Sequence, residues 1–413
     1  MNKALIILLS IALFLASCGN NRKDVKIDTL SPKLISDTLT KEATKPITNV
    51  YVENSGSMFG YISSGNDFDR SLSSLLTMIK IKEYSDTIQL HYINSKVFIQ
   101  NESITSFIRN ITLHNAQTWQ GSLAETNMCA LFDTVISKVN NNNISIFVSD
   151  CIFSPGQEDA KRFIGAQKDC ISIIVNNKLK NHNLAFTVLR LISNFHGSYF
   201  DCQDNPTMIE GERPYYIWII GTKNNISAFK QIIELEDIEG QLQNTYTIFK
   251  SEINTSYSVQ LNPKIGKFDR TNPTTIMEPI KDRDSDKFMF SIGVDFSSLL
   301  LDDSYLTNPE NYNISDPNYK IEIDKWQMAS HTHLIKVTTT ANIISPTELT
   351  IQLKNHIPDW VDEFSDESCD DINSDEMMQK TFGLKSIIHG IYSGYNFQDD
   401  LLSEINININ QNN

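Results

Sequence analysis

The sequence predicts a two-part α/β chain: a doubly wound, mainly parallel sheet, then a β-rich domain and one last helix. Three observations carry this. Short, nearly all-apolar runs alternate with amphipathic helical stretches up to about residue 236. The apolar runs lack in–out alternation, as expected of strands covered by helices on both faces. After about Gly240 the texture changes to strand-length runs separated by Pro, Asn and Asp.

In chain order, residues 47–53 read as a strand with Val50 and Val52 inside it. Residues 68–84 carry Leu72, Leu75, Leu76 and Ile79 at helical spacing. Residues 88–93 and 96–100 read as a hairpin around Asn94 and Ser95. A helix over 126–139 presents Leu131, Val135 and Val139 on one face and is stopped by four asparagines, Asn140 to Asn143. Residues 144–148 form a short apolar strand, 160–179 a helix, 184–193 and 215–221 two more strands, and 226–235 a closing helix. The β-rich part reads as strands at 245–250, 257–261, 288–296, 319–326, 333–340 and 348–353, spaced as in an immunoglobulin-like sandwich. An acidic stretch over 359–376 leads to a helix carrying Phe382, Ile387, Ile388 and Ile391, and the Asn- and Ile-rich tail from Ile405 reads as frayed.

The beginning of the chain reads as an export signal. Lys3 is followed by the apolar run 4–15 and then by Leu15, Ala16, Ser17 and Cys18. The run is short of the roughly 20 apolar residues a transmembrane helix needs, and small residues before a cleavage point mark a signal peptide. The Leu15–Cys18 stretch resembles the lipobox of bacterial lipoproteins, which are cut before the cysteine and acylated on it. That resemblance implies a lipid anchor on Cys18, more than one acyl chain for stable tethering, and a place in the cell envelope. Gly19 after the cysteine, where inner-membrane lipoproteins often carry Asp, favours the outer membrane. The expected divisions are a signal peptide over 1–17, a polar tether over 18–46 reaching roughly 30 Å, the α/β domain over 47–236, the β-rich domain over 237–358, and an acidic segment, helix and tail over 359–413.

A net charge of −15 over 413 residues argues against nucleic acid or an anionic lipid surface as partner, since both reward basic patches. Besides Cys18 there are Cys129, Cys151, Cys170, Cys202 and Cys369, with no CxxC pair and no spacing that suggests zinc. Cys151 and Cys202 fall just past strands that are neighbours in a doubly wound order. They either bridge, tying down residues 194–204, or stand as independent thiols.

The segment that carries chemistry is Glu53-Asn54-Ser55-Gly56-Ser57 at the end of the first strand. It resembles the DxSxS motif of von Willebrand factor A-type domains, with Glu53 in the place of Asp. Thr126 at a helix start resembles that family's Thr loop, and Asp150 after the strand 144–148 stands where the family places its last Asp. The resemblance implies a metal-ion-dependent adhesion site in which Ser55, Ser57 and Thr126 touch Mg²⁺ or Mn²⁺ and Asp150 acts through water. Glu53, one methylene longer, either binds, shifts the ion or abolishes the site. Independently, a hard cation wants oxygen ligands, and an open α/β sheet binds at the carboxyl ends of its strands. Neutral hydroxyls leave such an ion short of charge, so it takes an anionic group from a protein or surface-polymer partner. Asn194 and His196 are candidates for the rim.

Other constellations point elsewhere. Ser57 as the nucleophile of an envelope hydrolase lacks GxSxG or SxxK context, and a metal-free scaffold fits the same residues. Asp282 to Asp286 resembles the start of a calcium loop, but Lys287 and Gly293 stand where glycine and glutamate are needed. His331 and His333 share a strand without further ligands in sequence reach. Cys18→Ser is expected to leave the precursor uncleaved or to release the protein from membranes, measured by detergent partitioning.

Overall fold

The carboxyl-terminal helix and strand set the architecture, because the chain crosses three times between its α/β part and its β-rich part. The computed structural model describes residues 45–62, 66–118, 121, 127–156, 158–251, 255–328, 330–339, 341–369, 372–397 and 400–411. The first sheet has seven strands: β1 (Ile47–Glu53), β2 (Ile88–Ile93), β3 (Val97–Gln100), β4 (Asn143–Ser149), β5 (Leu184–Phe200), β6 (Pro206–Thr222) and β7 (Gln241–Phe249). Their order is β3-β2-β1-β4-β6-β5-β7. Helices α1 (Asp67–Ile81), α2 (Ile104–Asn110), α3 (Leu113–Thr118), α4 (Met128–Ser137), α5 (Ala160–Leu179) and α6 (Lys223–Ile232) alternate with these strands.

The sheet is mixed, which corrects the expectation of a mainly parallel one. β1 is parallel to β2 and to β4, whereas β2/β3, β4/β6, β5/β6 and β5/β7 are antiparallel. The reason is local. β5 runs on to Phe200 and β6 begins at Pro206, so most of the expected loop at 194–204 is the upper part of a hairpin. A connection of five residues can only return a strand antiparallel, and β6 takes the place beside β4.

Local signals explain the helix starts. Asn66 caps α1 by accepting from the Asp69 amide, Asn127 caps α4 through Ala130, and Asp159 caps α5 through Arg162. The buried face of α1, with Phe68, Leu72, Leu75, Leu76 and Ile79, is the one the spacing predicts. Below it Tyr61, Phe68, Phe195 and Tyr215 form an aromatic cluster with centroids 4.9–6.1 Å apart.

After β7 come β8 (Ser256–Ile265), β9 (Lys267–Asn272), β10 (Thr275–Ile280), β11 (Phe288–Asp295), β12 (Tyr312–Ile314), β13 (Tyr319–Met328), β14 (His331–Thr339) and β15 (Thr347–Lys354). They divide into a four-stranded sheet, β13-β14-β11-β8, and a five-stranded one, β12-β15-β18-β10-β9, where β18 is Leu401–Asn410. Phe268 of β9 meets Phe288 of β11 edge to face, with centroids 6.0 Å apart. The tail read as frayed is therefore an interior strand. β18 pairs with β15 on one side and β10 on the other, and buries Ile405, Ile407 and Ile409. Its alternation of Ile with Asn is the period-two pattern of a strand with one face buried.

The acidic segment is also structured. It contains a helical turn at Trp360–Glu363, a pair of short strands, β16 (Ser365–Asp366) and β17 (Thr381–Phe382), and a turn at Asp375–Met378. The carboxyl-terminal helix (Leu384–Gly394) then packs on α5. A Cβ on Gly390 would stand 2.8 Å from the Lys168 carbonyl, and one on Gly394 2.7 Å from Val175 Cβ. These two glycines, one helical turn apart, let the two backbones meet.

The two glycine positions give a paired prediction. Gly165 of α5 faces open space, so Gly165→Ala is expected to stabilise by about 0.5–1 kcal/mol through helix propensity alone. Gly390→Ala gains the same propensity but overpacks backbone, at a cost of about 1–3 kcal/mol, and is expected to destabilise. Urea unfolding of both variants measures the difference in sign.

Candidate functional site

The candidate site lies where β1 and β4 end side by side. Parallel pairing sets Val52 opposite Val148, so both chains leave the sheet at the same edge. After β1, a 3₁₀ turn at Ser57–Tyr61 folds back over the sheet. It packs on β5 so closely that a Cβ on Gly197 would stand 2.7 Å from the Gly60 Cα. This fixes the turn, and with it Ser57. After β4, the Cys151 amide donates to Ser149 Oγ at 2.7 Å and the Ile152 amide to Asp150 Oδ1 at 3.3 Å. Cys151 takes φ of 57°, a left-handed conformation uncommon for a residue with a Cβ. That bend turns Asp150 back toward the end of β1.

The hydroxyls of Ser55 and Ser57 stand 3.1 Å apart. Burial pushes the Asp150 carboxyl above its ordinary value, while the Ser57 hydroxyl, the Ile152 amide and the Arg213 charge act in the opposite direction. The charges of Glu53 and Asp150 both bear on the Cys151 thiol, which burial already pushes up. Ser55, Ser57 and Asp150 thus gather at one place, with Glu53 beside them. Thr126, the remaining expected ligand, lies outside the described residues. Asn194 and His196 are exposed on β5 and alternate with the buried Phe195, which packs toward Gly60. His196 Nδ1 lies 3.5 Å from Glu210 Oε2 on the neighbouring strand, so both rim candidates point away from the turn that holds Ser57.

The site is closed. Glu53 is 2 % exposed, Asp150 1 %, Ser55 5 % and Ser57 9 %. Asp150 Oδ2 accepts no hydrogen bond among the described residues. An orphaned buried carboxylate oxygen beside two hydroxyls is an all-oxygen set that suits a hard cation. Among the described residues no group of three or more His, Cys, Asp or Glu side chains lies at metal-binding spacing. Any ion here would therefore rest on hydroxyl oxygens as much as on carboxylates.

Sequence reasoning missed several neighbours. Asn94 Nδ2 donates to Asn54 Oδ1 at 2.6 Å, joining the ends of β2 and β1. Trp218 Nε1 donates to Cys151 Sγ at 3.3 Å. Arg213 is fully buried within electrostatic reach of Asp150. Asn54 was legible as part of the motif, whereas Asn94, Trp218 and Arg213 come from other strands with no local signal. The cysteines are paired otherwise than the bridge considered: Cys129 with Cys170, joining α4 to α5, and Cys202 with Cys369. Cys151 is a free, buried thiol. Cys202 sits in the hairpin turn between β5 and β6, away from the β4 end, and so meets the acidic segment instead.

The calcium-like run forms a tight turn in which Asp282 Oδ1 accepts from the amides of Asp284 and Ser285. His331 stacks near Trp326, and His333 is buried 3.4 Å from Asp303.

Asp150 generates a pH prediction. Its folded-state value lies above the ordinary 3.8, so it contributes most to stability below that pH, and the contribution is lost as pH rises through the raised value. In metal-free buffer Asp150→Asn is therefore expected to be more stable than wild type near neutral pH, with the gap closing toward acid. Urea unfolding at a series of pH values measures it.

Comparison with protein-family models, with curated proteins and with solved structures finds no match.

Proposed function

We propose that this chain is a lipid-anchored envelope protein that binds a protein or polymer ligand through a metal-ion-dependent site of von Willebrand factor A type. The observation that carries the reading is the gathering of Ser55, Ser57 and Asp150 at the shared edge of β1 and β4, with an orphaned Asp150 oxygen. In this reading the seven-stranded sheet is a doubly wound core with the β5–β6 hairpin inserted beside β4. The two later sheets form a sandwich. Ser55 and Ser57 would hold Mg²⁺ or Mn²⁺, Asp150 would act through water, and Glu53 would supply the second carboxylate. The bound ion would supply a Lewis-acidic position for an acidic group of the ligand. Ser57, the most accessible of the four, marks the approach.

Attachment through Cys18 rests on Lys3, the apolar run 4–15 and the Leu15–Cys18 stretch. Two cysteine pairs fit export to an oxidising compartment. Among the described residues no helix is long and apolar enough to cross a membrane.

One observation favours a second reading, a metal-free scaffold. Complete burial with a raised Asp150 value suits a carboxyl kept protonated and structural. Calorimetry separates the two. Mg²⁺ or Mn²⁺ is expected to bind weakly, at about millimolar affinity, or roughly 4 kcal/mol. Ser57→Ala and Asp150→Ala are expected to lose it with the fold intact. Absence of heat in the wild type at millimolar metal would favour the scaffold. A pull-down from envelope extract with and without chelator then reports whether ligand capture needs the ion.

A further inference from the structure

Two arginines lie inside this acidic chain with no carboxylate in direct contact among the described residues, although Asp150 acts on Arg213 and Glu363 on Arg190 from farther off. Arg190 of β5 is 2 % exposed and Arg213 of β6 is fully buried. Among the described residues neither is in an ion pair. Burying a guanidinium without a carboxylate in contact is costly, and here it occurs on two adjacent strands.

Their partners are neutral and come mostly from one short stretch. Arg213 Nη1 donates to the Met378 carbonyl at 3.2 Å and Nη2 to the Lys380 carbonyl at 3.4 Å. Arg190 Nη2 donates to the Gln379 carbonyl at 3.1 Å and to its Oε1 at 3.4 Å, and Nη1 to Asn244 Oδ1 at 3.4 Å. Three consecutive carbonyls thus run between two guanidinium groups. Among the described residues neither Nε has a hydrogen-bond partner. Both planes are oriented by rings: Arg190 lies 3.7 Å above Phe364 and Arg213 4.8 Å from Tyr199. Planar forks held by aromatic faces are how proteins receive carboxylate and phosphate oxygens.

The covering stretch is one layer thick. Residues 377–380 are only half-buried, and Asp375 and Glu376 before them are exposed. It is held at its end by Tyr216 OH with Thr381 Oγ1 at 2.9 Å and by the Phe153 amide on the Phe382 carbonyl at 3.3 Å. Upstream, the Cys202–Cys369 disulfide ties the same segment to the β5–β6 turn.

We propose that Arg190 and Arg213 form an oxyanion site for phosphate or carboxylate groups on an extended chain, and that the carbonyls of residues 378–380 stand in for that ligand. The stretch is a displaceable cover, and the disulfide holds it closed. A chain carrying regularly spaced oxyanions would replace three neutral acceptors with charged ones along the same path. Arg213 also acts on Asp150, so this site adjoins the proposed metal site, but the inference does not rest on metal binding there.

The test uses the full chain and hydrogen exchange of amides 375–382. In the Cys202→Ala/Cys369→Ala variant these amides are expected to exchange at least about tenfold faster than in wild type, while β1 and β4 are unchanged. Inorganic phosphate and citrate, titrated separately against chloride at equal ionic strength, are expected to accelerate them about tenfold further by displacing the cover. Whichever acts at lower concentration identifies the oxyanion class. Arg190→Gln or Arg213→Gln in the same background is expected to remove the response. Cover exchange unmoved by either oxyanion, or moved equally by chloride, would overturn the proposal. So would a response that survives both arginine substitutions. Where an arginine variant does not fold, the comparison of oxyanion with chloride in the cysteine variant decides.

Discussion

The close approach of the carboxyl-terminal helix to α5 is the contact on which most of the molecule depends. Without side chains at Gly390 and Gly394 the two backbones come together, and this anchors residues 384–394 on the α/β part. Only then is β18 delivered into the interior of the five-stranded sheet, between β15 and β10. On the other side of the helix, the same anchorage lays residues 375–382 over Arg190 and Arg213. One helix contact therefore positions a strand in one half of the chain and a cover in the other. All of it from β1 to β18 falls within one compact unit.

The edge of β1 and β4 follows from a different constraint. Parallel pairing puts two strand ends at one level, and two tight turns bring their side chains together. The turn after β1 is held by contact with β5. The turn after β4 is held by Ser149 and by the left-handed conformation of Cys151. Because β6 lies beside β4, Arg213 and Trp218 approach this edge from the antiparallel insertion. In a purely parallel sheet those positions would belong to another strand.

Most elements of the first part were legible because their apolar spacing is strong. β1, β2 and α5 have the expected bounds, and β3, β4 and α1 lie within a residue or a few of them. Strand direction was not legible: the run of Ile, Trp and Tyr in β6 reads alike whether its neighbours are parallel or antiparallel. The long upper part of the β5–β6 hairpin was hidden by Asn194, His196, Gly197 and Asp201, which read as loop residues. The acidic segment misled because most of its charges, Asp366 excepted, face outward while Val361 and Ile372 face inward at irregular spacing, and Phe382, expected in the helix, instead lies in β17 before it. β18 carried a clear alternating pattern whose position near the end of the sequence suggested fraying. In the candidate site, Glu53, Ser55, Ser57 and Asp150 were found from local motif and strand ends. Arg213 and the cysteine pairings depend on tertiary placement alone.

The position of β1 has a mechanical consequence. The strand begins at Ile47, directly after the stretch that would join it to a lipid at Cys18, and it is flanked on both sides by parallel neighbours. Six residue pairs join it to β2 and six to β4. Tension on the tether, drawn along the strand, would load both ladders in shear, so their bonds must fail together and not one after another. If the chain is anchored through Cys18 as proposed, resistance to extraction would lie at the strand where the load enters. A displacement of the whole strand would also shift the edge that carries Ser55, Ser57 and Asp150 at its far end.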